Sequence, residues 1–285
     1  MTIAVTIRVN AGVVMASDSA VTISAGDRVL KAFYNADKIV NLCRGYPVGV
    51  VFFGAGSIGS VALSTVAKDF RATMIEGGYD WSKCRVEEVN DRFCDYLQGR
   101  CKLLPDDEKP GTFGFYMAGF SQGEDLPEVW HSSLEKGLLK VKERDTTPWG
   151  IVYDGMRQPL DRLIYGFDND LMALLDELGI DKNTQDVFVG RLLAKAQAVL
   201  IYPPMPIQDA IDLARCLVET AGWYWRFSPG VAGVGGPVEL ATLTKHEGFR
   251  WVARKHWFQT ASNPIGGGGY ELPQISGSAN GGAKA

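Results

Sequence analysis

Histidine is scarce in this chain of 285 residues: His131, His246 and His256 are the whole complement, and they are scattered. The five cysteines, Cys43, Cys84, Cys94, Cys101 and Cys216, are odd in number, and no C-x-x-C pair occurs. No histidine stands near a cysteine pair, so a zinc site is not expected and the thiols are read as reduced. Runs of basic residues are also missing, and the formal net charge is -4. Phosphate contact needs clustered lysine and arginine, which argues against a nucleic-acid partner. No apolar run approaches the length that spans a bilayer. The opening "MTIAVTIRVN" lacks a basic region followed by an apolar one, so it is not read as a signal peptide. A cytoplasmic protein without metal, cofactor or membrane partner is the expectation.

The remainder is an ordinary globular balance of 46% hydrophobic and 22% charged residues. Thr2 to Val9 alternates with period two and predicts a strand with one buried face. "NAG" turns the chain into a second strand, Val13 to Ala16, which ends at "SDS". After a polar connection, "DKIVNL" and the apolar run Val48 to Phe53 predict two further strands. Helical spacing follows over Ser57 to Met74 and over Arg85 to Leu104. Strands resume at Thr112 to Phe120, Pro127 to Leu134 and Pro148 to Gly155. Asp168 to Ala221 is helical in pieces cut by "YPPMP", and "GGPVELATLTKHEGFRWVARK" predicts a closing hairpin. The order fits two stacked sheets with helices outside better than strict strand–helix alternation. One domain over residues 2–261 is expected, with 262–285 as a flexible tail rich in glycine and serine.

Two features carry chemistry. "FFGAGSIGS" places Gly54, Gly56 and Gly59 as G-x-G-x-x-G after an apolar strand, with Glu76 at a suitable distance for a ribose contact. A dinucleotide-binding enzyme is one reading, although the segment that leads to Glu76 continues a helical stripe. The second feature is Thr2 taken with Asp18, Lys38 and Gly54. If Met1 is removed, the α-amine of Thr2 can act as base for its own hydroxyl, and no histidine is required. A lysine beside the hydroxyl favours its ionised form, Asp18 supplies the anion a buried lysine needs, and a backbone N–H at the Gly54 turn can hold an oxyanion.

The motifs "TIAVTI" at Thr2, "GVVMASDSAVT" from Gly12, "KIVNL" from Lys38 and "VVFFGAG" up to Gly56 resemble the proteasome β-subunit type of N-terminal nucleophile (Ntn) hydrolase. That group includes bacterial relatives: the HslV peptidase, the ancestral-β-subunit proteins and a β-proteobacterial homologue group. "GMRQPLDRLI" and "GGPVELATLTKHEGF" are weaker matches later in the chain. The resemblance implies an α+β fold, a four-layer αββα sandwich, here with an extended helical region. It implies Thr2 as nucleophile and amine base, Lys38 as its activator, Asp18 as the partner of Lys38, and the Gly54 amide as oxyanion donor. Val21, Phe52 and Gly56 would then border the pocket for the residue before the scissile bond. The implied activity is peptide-bond hydrolysis, on peptides or unfolded proteins, inside a homo-oligomeric ring or spiral, with an ATPase unfoldase as an open partner.

The chain departs from that pattern in places. Val231 and Val234 stand where the family carries an Asp and a Ser before the late Gly-Gly, and Asp154 stands in place of a turn Ser. Asp154 and Ser228 are the stand-ins to consider, and Lys31 rivals Lys38 because the intervening loop is long. A proteasome-fold scaffold subunit without activity is the remaining alternative.

Overall fold

The structure is a computed structural model, and it describes residues 2–25, 28–43, 45–230 and 233–255. Along the chain run β1 (Ile3–Val9), β2 (Gly12–Ser17), β3 (Val21–Ala25), β4 (Arg28–Phe33), β5 (Ile39–Asn41) and β6 (Val48–Gly54). Two short strands, β7 (Ser57–Ile58) and β8 (Val61–Ala62), precede α1 (Leu63–Glu76) and α2 (Val86–Lys102). Four strands follow: β9 (Phe113–Gly119), β10 (Glu128–Glu135), β11 (Leu138–Arg144) and β12 (Gly150–Gly155). The helices α3 (Gln158–Tyr165), α4 (Asn169–Glu177), α5 (Lys182–Ala196) and α6 (Ile207–Phe227) lead to the hairpin β13 (Glu239–Thr244) and β14 (Gly248–Ala253). The expected domain limit at residue 261 and the tail 262–285 lie outside the described residues.

One five-stranded sheet has the order β12-β1-β2-β13-β14 and the other β11-β10-β9-β6-β5; every neighbouring pair is antiparallel. The expectation of a single buried face on β1 is corrected, because all seven of its residues are buried. Ile3, Val5 and Ile7 pack in the cluster that includes Leu160 of α3 and Leu217 of α6. Ala4, on the opposite face, packs with Val51 and Phe53 of the second sheet. Arg8 is tolerated inside because its guanidinium meets the Asp145 carboxylate at 3.0 Å. Polar letters at Thr6 and Arg8 imitate a solvated face that the second sheet in fact covers.

On the second sheet, Phe93 of α2 is fully buried, with ring centroids 4.9 Å from Phe70 of α1, 5.1 Å from Phe115 and 6.2 Å from Phe52. Acidic Glu87 and Glu88 in the first turn of α2, and Arg100 and Lys102 in the last, match the helix dipole.

The expected four-layer αββα sandwich is corrected. The described residues form an α+β arrangement of six α-helices with four antiparallel sheets, two of which are two-stranded hairpins, β3-β4 and β7-β8. Two of the six helices contribute little to the core: α4 buries no residue, and α5 buries only Gln185. The helix predicted from Ser57 begins at Leu63 instead, because Ser57 to Ala62 turns as a miniature hairpin. Among the described residues, no helix is long and apolar enough to cross a membrane.

Candidate functional site

Strands β1, β2 and β6 and the approach to β5 converge at one end of the two sheets. Asp18, just beyond β2, is 1% exposed and collects four donors. The Lys38 ammonium lies 2.6 Å from Oδ1, and the Ile3 N–H donates to the same oxygen at 3.0 Å. The N–H groups of Ala20 and Gly235 donate to Oδ2, each at 3.0 Å. A charge this deep is tolerated only when it is paired and hydrogen-bonded, and this one is both.

Lys38 is itself 6% exposed. Its carbonyl accepts from Phe52 N–H at 2.9 Å, and its own N–H faces the Glu239 carboxylate at 3.4 Å. The backbone at Lys38 is thus tied to β6 and β13, which aims the ammonium rather than leaving it to wander.

A cavity of about 110 Å³ opens here, and Thr2, Lys38 and Gly54 line it together with Val21, Phe52 and Gly56. All six belong to the set singled out from the sequence, and Asp18 stands behind Lys38. Gly54 has φ +84°, and a Cβ there would fall 2.6 Å from the Thr112 carbonyl oxygen, so only glycine fits. The Ala55 N–H is engaged by Thr112 O at 3.1 Å. Gly56 approaches Val21 so closely that an added Cβ would lie 2.9 Å from its methyl. Leu63 and Ser64, in the first turn of α1, also border the cavity. The helix N-terminus therefore reaches this space after the β7-β8 detour, with its favourable potential for an anion.

The glycine spacing does not make a nucleotide cradle. Gly59 sits in the β7-β8 turn with φ +56°, packed on Leu104, and is not a cavity residue. Glu76 is the last residue of α1 rather than the end of a second parallel strand.

The rivals and stand-ins separate clearly. Lys31 is exposed, with its ammonium 5.9 Å from the Phe33 ring centroid. The Asp154 carboxylate accepts from Gly155 N–H at 2.6 Å, and Ser228 Oγ donates to Tyr224 O at 2.8 Å, at the end of α6. Val234 is buried, whereas Val231 lies outside the described residues.

Two features were missed in the sequence. Glu239 is 1% exposed, and its signal was a lone carboxylate opening the apolar strand "ELATLT". The other is the turn after β12, where Met156 N–H donates to Thr2 O at 2.7 Å. Nothing in the letters "GMR" announces that contact.

No family model matches the chain, and no curated protein matches it. Solved structures match in fold. Anbu from Hyphomicrobium sp. strain MC1, solved as a Gly-1 mutant, is 15% identical with a TM-score of 0.51, over 92% of each chain. The likeness is weak and shows the fold alone. Membership of the proteasome β-subunit type, which the front motifs implied, is corrected accordingly: the comparisons give a distant fold neighbour and no family.

Proposed function

We propose that the chain is a threonine peptidase whose nucleophile is Thr2 after removal of Met1. The observation that carries the reading is the joint placement of Thr2, Lys38 and Gly54 around one cavity, with the Asp18–Lys38 pair buried behind it at 2.6 Å. The fold likeness to Anbu supports hydrolase chemistry only in outline.

In this reading the Thr2 α-amine takes the proton from Oγ as the oxygen attacks the scissile carbonyl. Lys38 lowers the cost of negative charge on Oγ, and the Gly54 N–H, with the first turn of α1, stabilises the oxyanion. Collapse breaks the C–N bond, and the departing amine takes the proton from the α-ammonium. Water then attacks the Thr2 ester, delivers a proton back to Oγ and releases the acid. Val21, Phe52 and Gly56 present an apolar wall, which suits an apolar side chain before the cleaved bond. Peptides and unfolded chains are the substrates proposed.

A homo-oligomer is part of the same proposal. Trp223 and Phe227 of α6 are 54% and 77% exposed and stack at 6.0 Å, a surface suited to a protein contact. The test is Thr2→Ala combined with intact-mass analysis. Turnover is expected to vanish in the variant while assembly persists; unchanged peptidase activity would overturn the mechanism. Retained Met1 would leave no amine base and point to the inactive scaffold instead.

A further inference from the structure

The peptide group between Thr2 and Ile3 is held at both ends. Its N–H donates to Asp18 Oδ1 at 3.0 Å, on the β2 side, and its C=O accepts from Met156 N–H at 2.7 Å, on the β12 side. The Asp18 clamp belongs to the site already described. The Met156 clamp depends on the turn that follows β12.

That turn, Gly155 to Arg157, presses against Thr2: a Cβ at Gly155 would fall 2.0 Å from Thr2 O, and its φ is +104°. The indole N–H of Trp225, on α6, donates to Met156 O at 3.2 Å. Arg157 Nε donates to the Asp161 carboxylate at 2.8 Å, and the Tyr153 hydroxyl donates to its other oxygen at 2.7 Å. The Asp161 side chain is 4% exposed. Burial, and then the hydrogen bond to Asp161, push the Tyr153 phenol upward, so it remains a donor. A buried carboxylate on α3 thus ties together the last residues of β12 and the turn that holds Thr2, and an indole from α6 holds the same turn from the other side.

We propose that Asp161, Tyr153 and Trp225 are positioning residues for Thr2: they fix the turn whose Met156 N–H orients the Thr2–Ile3 peptide, and so the nucleophile. The proposal rests on the reading of Thr2 as nucleophile. Its physical basis is that displacement of a reacting group by about 1 Å can cost on the order of a hundredfold in rate.

The experiment uses Tyr153→Phe and Trp225→Phe, each of which deletes one donor and keeps an aromatic ring. Deuterium exchange is followed at the Ile3 amide, with the Phe115 amide in the core as the reference. Peptidase kinetics are measured on the same samples. The expected result is exchange at Ile3 roughly tenfold faster with Phe115 unchanged, and kcat lowered about tenfold with KM within about twofold. Exchange at Ile3 equal to that of the parent protein would overturn the proposal. So would faster exchange with unaltered kcat, because the turn would then hold the strand without serving the nucleophile. If the parent protein itself neither turns over nor reacts at Thr2, the peptidase reading fails, and the positioning proposal falls with it even where the exchange shows the clamp to be real.

Discussion

Asp18 takes an ammonium and three backbone N–H groups into a site that is 1% exposed, so its charge cannot be removed quietly. Asp18→Asn leaves Lys38 as a buried cation without its counter-charge, a loss of roughly 3–5 kcal/mol. Urea unfolding should show that drop together with lost turnover; a variant of parental stability would contradict the pairing. If the base is the Thr2 amine, its protonation governs the pH profile. The amine must be unprotonated to accept the Oγ proton, so turnover should rise with pH as the amine loses its proton and be lost on acidification. Turnover that does not fall on acidification of the still-folded protein would exclude that base. At this scale the sequence was informative because chemistry-bearing side chains are individually conspicuous: an Asp in "SDS" and a Lys before "IVNL" stand out against apolar strands. Met156 acts through its backbone and Gly155 through the absence of a Cβ, so neither advertises itself by side-chain type.

Among the elements, α2 governs the cavity from a distance. Phe93 contacts Phe52, and Phe52 is part of the cavity wall. Phe93→Ala should cost about 3–5 kcal/mol in stability, because a fully buried ring is lost and its neighbours collapse only in part. The same change should weaken the preference for an apolar substrate residue, measured as the kcat/KM ratio between a leucine and an alanine peptide. A cost below about 1 kcal/mol would mean the site repacks freely. Helical periodicity made α2 legible, with Val86, Val89, Phe93 and Leu97 all buried as spaced. The hairpin β7-β8 was not legible, because two-residue strands leave no period to detect and "SIGSVA" merges with the helical stripe of α1. β11 escaped for another reason: its burial alternates weakly between half-buried and exposed, as an edge strand's does. The polar face of β1 misled because a second sheet, not water, covers it.

For the whole molecule, the order of strands and helices conveyed two stacked sheets with helices outside, and the motif resemblance added an α+β four-layer sandwich that is not shown. α4 and α5 are mostly solvated helices whose sequences show helical spacing but do not say what they pack against. The fold likeness to Anbu at 15% identity is found where sequence comparison finds nothing. Exposed Trp223 and Phe227 predict self-association: light scattering at micromolar concentration should give a mass several times that of one chain, and Trp223→Ser with Phe227→Ser should lower it. A monomer in the parent protein would contradict that. The central claim is that Thr2 is a terminal nucleophile, and the most direct measurement is intact mass before and after treatment with a β-lactone or epoxyketone, followed by peptide mapping. The expected result is a chain lighter by one methionine that gains a single adduct on Thr2, absent in Thr2→Ala. A chain that keeps Met1 and gains no adduct would contradict the account.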